Sequence, residues 1–281
     1  MVSFVILNYK STNDTIECIN SIKKLKGDYS IIVVDNNTFN CDEIKTIKSL
    51  TPDLVLLDSN VGFAKGNNAG AKYAIKKYHP DYLCIINSDI VINQVDFIEQ
   101  INNLYKEYNF DILGPKILPE ESESCNPFPV YKTLEEVENK IKYHHKLINI
   151  YQSKFKRFLL KIYLLKNIFK KKVKNTNGLT DELNVGLHGC ALIFSEKYYE
   201  KYEDIFYPNT FLFHEEEFLY LKAQQDKLIT LYSPKIELIH KEGQSLNKEY
   251  KNNYQKLIFR NKEIIKSLEL LKSEMMKWKM V

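Results

Sequence analysis

Short apolar runs alternate with stretches of helical periodicity through the first third of this chain. Val2–Leu7 is continuously apolar and closes in Asn8-Tyr9, the pattern of a strand buried on both faces. Ile16, Ile19, Ile22 and Leu25 then repeat at helical spacing, and Gly27 stops the run. Ile31–Val34 reads as a second strand ending in Asp35-Asn36-Asn37, and Ile44, Ile47 and Leu50 as a short helix. Leu54–Leu57 reads as a third strand, followed by a loop from Ser59 to Gly70. A helix is predicted over Ala71–Tyr78, broken by His79-Pro80. Leu83–Ile86 is a fourth strand, ending in Asn87-Ser88-Asp89. This alternation predicts an α/β fold, a mainly parallel sheet with helices on both faces.

Further along, a helix near Asp96–Tyr108 and a strand from Asp111 precede a Pro-rich loop. Leu187–Phe194 regains strand character, and Phe211–Ala223 begins apolar and opens a helix with Glu215, Glu216 and Glu217. Leu228–Leu231 and Ile236–Ile239 read as two short strands, the second ending at His240. A long amphipathic helix through Tyr254, Leu257, Ile258, Ile264, Ile265, Leu268 and Leu271 closes the chain.

Charge changes the picture in one place. The net charge is +4, but twelve of the 40 Lys and Arg fall within residues 139–180, where no Asp or Glu occurs. The rest of the chain carries 28 basic against 36 acidic residues, so the basicity belongs to one segment. There Phe158, Leu159, Ile162, Leu165 and Phe169 keep helical spacing among lysines. A basic amphipathic helix of this kind suits an anionic membrane surface, and peripheral contact is expected through residues 154–174. The competing reading is a surface helix with solvated lysines. No nucleic-acid motif accompanies the charge, and no nucleic acid is expected as a partner. No run reaches the length of a membrane span, Val2–Leu7 is too short for a signal-peptide core, and the five widely spaced cysteines contain no C-x-x-C pair. The expectation is a cytoplasmic protein with reduced thiols, peripheral on the inner face of the cell membrane.

Ligands in open α/β sheets gather at the carboxyl ends of the strands. Asn8, Asp35 and Asn87-Ser88-Asp89 all stand there. Asp35 can accept hydrogen bonds from a base or ribose, and Asp89 can hold Mg²⁺ or Mn²⁺ against a diphosphate; taken alone, Asp89 reads better as a cap of the next helix or turn. Gly62, Gly66 and Gly70 permit close backbone approach, and Asn67 and Asn68 bring amide donors. The loop is neither a Walker P-loop nor a G-x-G-x-x-G fingerprint.

Val5-Ile-Leu-Asn-Tyr, Val33-Val-Asp-Asn-Asn, Asn60-Val-Gly-Phe-Ala-Lys-Gly-Asn-Asn-Ala-Gly and Ile86-Asn-Ser-Asp together resemble the motifs of family 2 glycosyltransferases. The likeness continues at Gly189-Cys-Ala-Leu-Ile, Phe211–Ala223 and Ile239-His240, and within the family it is strongest to rhamnosyltransferase-type enzymes of bacterial surface polysaccharide synthesis. The resemblance implies a Rossmann-like GT-A fold and an inverting transferase of hexosyltransferase type. Its donor would be a nucleotide-diphosphate sugar, with rhamnose the suggested sugar, and its acceptor a saccharide or lipid-linked saccharide. By the same resemblance, Asn8, Asp35, Gly62, Asn67, Asn87 and Asp89 would form the nucleotide-sugar site. Asp89 would be the surviving acid of a D-x-D metal motif in which Asn87 replaces the first Asp. His240 is a second metal candidate beside its reading as a core histidine. The catalytic base falls at Glu216, preceded by Glu215; Phe218 and Lys222 replace the family's usual Asp and Arg. The chemistry requires such an acid, because an in-line displacement needs a carboxylate to take the acceptor's proton. The other reading of Glu216 is a first-turn acid serving the helix dipole.

The expected division is a nucleotide-sugar half over 1–118, a basic helical insertion over 119–180, an acceptor-side half with the catalytic acid over 181–245 and a C-terminal amphipathic helix over 246–281. A sugar-phosphate nucleotidyltransferase would show a Gly-rich signature with Arg and Lys near the first strand, and Val2–Ser11 has none. A membrane-associated nucleotide-sugar-binding protein without catalysis is the alternative that Asn87 and Phe218 leave open.

Overall fold

The computed structural model describes residues 1–119, 125–158, 180–241 and 253–279. It divides into two compact units: Met1–Val130, Asn177–Phe211 and Glu215–Glu242 form the first, and Tyr131–Thr176, Leu212–His214 and Gly243–Val281 the second.

The first unit is built on a nine-stranded mixed sheet, counted among the described residues. β1 (Val2–Asn8), β2 (Tyr29–Asp35), β3 (Asp53–Leu56) and β4 (Tyr82–Asn87) pair in parallel in the order β3-β2-β1-β4. Their crossovers are the helices α1 (Thr12–Ile22), α2 (Cys41–Leu50) and α3 (Phe63–Tyr78). All seven residues of β1 but Leu7 are buried, as a central strand covered on both faces requires. Phe4, Ile6, Val33, Cys84 and Ile86 pack on one side; Val5, Ile32, Val34 and Ile85 pack on the other with the small residues Ala64, Ala71 and Ala74 of α3.

β5 (Ile90–Val91) and α4 (Phe97–Tyr108) lead to β6 (Ile112–Pro119), and β7 (Glu182–Leu183), β8 (Ala191–Ser195), α6 (Glu196–Lys201), α7 (Glu215–Asp226) and β9 (Thr230–His240) complete the unit. β8 lies between β4 and β6 and runs antiparallel to both, so the parallel character of the first half is not kept across the sheet. The two strands expected over 228–239 are one strand, β9. It pairs in parallel with β6, but the register jumps: Pro115 faces Ser233 and Lys116 faces Glu237. Pro234 has no N–H for the ladder, and a bulge is the local solution.

α3 starts eight residues earlier than expected, at Phe63. The stretch read as a glycine loop is therefore two turns of helix entered through Gly62, whose φ of 86° is open to glycine. A Cβ there would also collide with the Phe211 carbonyl oxygen, which accepts from Phe63 N at 2.8 Å.

The second unit contains α5 (Leu134–Gln152), packed against α8 (Tyr254–Lys279). Thr133 and Glu136 form a capping box at the start of α5. His144 Nδ1 donates to Asn261 Oδ1 at 2.6 Å, because the Asn261 amide donates to Leu257 O at 2.7 Å and leaves its oxygen to accept. Lys272 and Glu138 pair at 2.7 Å. Most of the basic segment expected to be helical, residues 159–174, lies outside the described residues. No helix among the described residues is long and apolar enough to cross a membrane.

Candidate active site

Parallel pairing places Asn8 opposite Asp35 and Leu7 opposite Asn87, so three of the expected positions share the carboxyl edge of the sheet. Their roles differ. Asn8 is fully buried and saturated: its amide donates to Asp35 Oδ1 at 3.3 Å and Thr38 Oγ1 at 3.0 Å, and its oxygen accepts from Thr15 Oγ1 at 2.9 Å and Ser11 Oγ at 3.3 Å. Asp35, expected to accept from a donor's base, has both carboxyl oxygens occupied by the chain itself. They accept from Thr38 N (2.9 and 3.0 Å), Phe39 N (3.0 Å) and Thr38 Oγ1 (2.8 Å). A carboxylate within reach of several backbone N–H groups binds them in preference to remaining bare in a buried site. Asn8 and Asp35 thus hold the turn at this edge of the sheet. Asn87 is half-buried, and its side-chain amide makes no hydrogen bond to a described residue.

The glycine-asparagine segment is likewise turned inward. Asn67 is buried and donates to Phe63 O at 3.1 Å within the helix, while its Oδ1 has no partner. Asn68 bonds both ways to Phe206, at 2.9 Å each, and so staples α3 to the loop before α7. Gly62 keeps its nitrogen on Asn60 Oδ1 at 3.0 Å, and the Asn36 amide donates to its carbonyl at 3.2 Å.

Asp89 and His240 are brought together although 150 residues separate them in sequence. Antiparallel pairing sets Ile90 opposite His240, Lys241 N donates to Asp89 O at 3.1 Å, and His240 Nε2 lies 3.3 Å from Asp89 Oδ1. His240 Nδ1 is buried without a partner. His188 sits 6.1 Å from His240 between ring centroids and accepts from Cys190 N at 3.2 Å through Nδ1. Burial, and then the charge of His240, hold His188 down at a pKa of about 4, so it is neutral at physiological pH. On α1, burial and then the Asp89 charge raise Asp14. Among the described residues no group of three or more His, Cys, Asp or Glu is placed to hold a metal by itself. One carboxylate oxygen and one imidazole nitrogen side by side nonetheless fit a first-row divalent ion whose other ligands come from a bound anion.

The acidic triplet opens α7. Phe213 and His214, immediately before it, both take positive φ (75° and 70°), a conformation costing side-chain-bearing residues roughly 1–2 kcal/mol each. Glu216 Oε1 accepts from Gly189 N at 3.0 Å, and a Cβ at Gly189 would stand 2.8 Å from that oxygen. The Gly189 segment is therefore shaped around the carboxylate. Glu215 is buried with Oε1 unpartnered; burial, and then the neighbouring Glu216 charge, push its pKa up to about 8. Phe218 stacks on Tyr207 with centroids 4.4 Å apart and planes 4° from parallel. Lys222 Nζ lies 3.4 Å over the Tyr202 ring, its pKa lowered to about 8 by burial.

Sequence reasoning missed Ser11, whose hydroxyl meets that of Ser88 at 2.8 Å, and the role of Gly189 in seating Glu216. Serines carry no positional signal of their own. Gly189 lay within a quoted motif but 27 residues from its partner.

The profile of Glycosyl transferase family 2 matches residues 3–202. The chain belongs to that family. A curated member is similar to it: the low-salt glycan biosynthesis hexosyltransferase Agl10 of Haloferax volcanii, 30% identical over 130 residues, 46% of this chain and 40% of that protein. Among solved structures, S. aureus TarS 1–349 superposes with a TM-score of 0.55 at 12% identity, covering 92% of this chain and 64% of its own. TarS 1–349 in complex with UDP-GlcNAc gives 0.54 at 12% identity, with coverages of 92% and 66%. GalNAc-T7 with UDP, GalNAc and Mn²⁺ gives 0.55 at 13% identity, with coverages of 86% and 44%. These likenesses establish the GT-A fold for the family 2 chain. It spans two fifths of the length of its curated relative and just under two thirds of TarS 1–349.

Proposed function

We propose that this chain is an inverting glycosyltransferase, moving a sugar from a nucleotide-diphosphate donor to a hydroxyl of a saccharide or lipid-linked acceptor. The observation that carries this reading is the seating of Glu216: a half-buried carboxylate on the first turn of α7, oriented by a backbone N–H of a glycine that leaves room for it. A general base needs that kind of fixed orientation. Glu215, its pKa pushed up to about 8 by burial and then by the Glu216 charge, takes one negative charge away from beside Glu216 near neutral pH.

The donor would lie along the carboxyl edge, its base and ribose against the turn braced by Asn8 and Asp35, and its diphosphate near Gly62, Asn87 and Asp89. A Mg²⁺ or Mn²⁺ would be held by Asp89 and His240 and would neutralise charge on the departing diphosphate. The imidazole favours Mn²⁺ of the two. Relatives support a nucleotide-sugar donor, since TarS and GalNAc-T7 were solved with UDP compounds and GalNAc-T7 with Mn²⁺. Rhamnose, and a role in capsule, O-antigen or cell-wall polysaccharide, remain proposals from the sequence likeness.

A thermal-shift screen of nucleoside diphosphates and nucleotide sugars, each with Mn²⁺, Mg²⁺ or EDTA, tests the donor site. A ligand at a hundred times its Kd raises stability by about 2.7 kcal/mol. A metal-dependent shift with one nucleoside diphosphate is expected. No shift with any donor would leave a family member without donor binding and overturn the reading. Donor binding with neither transfer nor hydrolysis would favour the non-catalytic alternative.

A further inference from the structure

We propose that the second unit carries a docking surface for an anionic phospholipid bilayer, centred on Phe155 and Phe158; this rests on the reading of a lipid-linked acceptor above. Residues 154–158 form a helical turn after α5, started by Ser153, whose carbonyl accepts from Arg157 N at 3.0 Å and whose hydroxyl accepts from Lys156 N at 3.3 Å. The Arg157 guanidinium stacks 4.2 Å over the Tyr254 ring, and Tyr254 in turn meets Tyr151 at 6.1 Å, so the turn is anchored on α8. From this held turn Phe155 is 70% exposed and Phe158 60% exposed. They stand three residues apart, which puts both rings on one side of a helix.

Two phenyl rings left in water on an anchored turn are unlike a scatter of single surface hydrophobes. Charge decides the partner. Lys154 and Lys156 flank the rings and are exposed, and Lys142 and Lys146 are exposed on α5. Between Asn139 and Phe158 there are six basic residues and no acidic one. A soluble helix face normally mixes both signs. Exposed aromatic rings in a stretch with cations and no acid match the interface of an anionic bilayer, where rings enter the headgroup boundary and lysines meet lipid phosphates. A transferase whose acceptor is anchored in lipid gains from being held at that plane.

Co-sedimentation of the full chain with phosphatidylcholine vesicles, with and without phosphatidylglycerol, tests this at low and high salt. Binding to the phosphatidylglycerol vesicles is expected, weakened by salt because the charges are exposed. Each of Lys154→Glu and Lys156→Glu should weaken it about fivefold or more, and Phe155→Ser with Phe158→Ser about tenfold or more. Both sites are exposed, so the melting temperature should not move. Unchanged binding by the Phe variant, equal binding to neutral vesicles, or no binding to either would overturn the proposal. So would salt-sensitive binding to duplex DNA in place of vesicles, or self-association that disappears with the Phe variant. A donor-induced thermal shift on the same samples reads the first unit, so a failed lipid surface and a failed donor site remain distinguishable.

Discussion

The carboxyl ends of β1 and β2 and the start of α7 are both polar, yet they treat their polar atoms in opposite ways. At Asn8 and Asp35 every side-chain oxygen and nitrogen has a protein partner. At Glu215 on α7, as at His240 at the end of β9, a buried polar atom has none among the described residues. Buried polar groups are normally paired because desolvation is otherwise uncompensated. The saturated cluster braces the turn after β2 and contributes to folding. The unsaturated one, on the function proposed above, is where groups would act on a ligand. On that proposal the motif residues divide into shaping and acting groups, a division that their hydrogen bonds suggest and their spacing does not.

The sharpest way to break the contrast is at Glu216. Glu216→Gln keeps the Gly189 hydrogen bond and removes the base, so kcat should fall about a thousandfold while donor-induced thermal shifts persist. Transfer that survives would remove Glu216 from that role. On the scaffold side, Asp35→Ala leaves two backbone N–H groups and a hydroxyl without their acceptor. Urea unfolding should show a loss of about 2–4 kcal/mol. Asn87→Ala, at the same sheet edge, should cost under about 0.5 kcal/mol in stability and act on donor binding instead. Equal stability losses at the two positions would erase the distinction between shaping and acting groups.

Asp89→Asn or His240→Ala should reduce the metal-dependent part of donor affinity about tenfold, or about 1.4 kcal/mol, read from Mn²⁺ titrations with saturating nucleotide. The last effect, at Glu215, depends on pH. The unfolded chain releases this proton near 4.5 and the folded chain near 8. Between those values the folded state binds the extra proton, so stability falls as pH rises through the window. Glu215→Gln should flatten that slope and stabilise the protein by about 1–2 kcal/mol above pH 8, with no gain near pH 4. A variant whose pH profile matches the parent's would show that Glu215 ionises normally.

Periodicity alone was enough for β1 to β4, for α1 and α2 and for the second half of α3, because a strand buried on both faces must be apolar throughout and a helix covering it must repeat near 3.6 residues. The motifs likewise placed Asn8, Asp35 and Asn87 on one sheet edge, since parallel strands align their carboxyl ends. Three things needed the folded chain. The glycine-asparagine stretch looked like a loop because Gly and Asn have low helix propensity, yet packing against Val5 and Val34 made it helix, and small residues were what that close approach required. The meeting of Asp89 with His240 came from an antiparallel pairing across 150 residues, for which local sequence holds no signal. The raised pKa of Glu215 came first from burial, a property of everything that surrounds it, and only then from the charge of its neighbour Glu216.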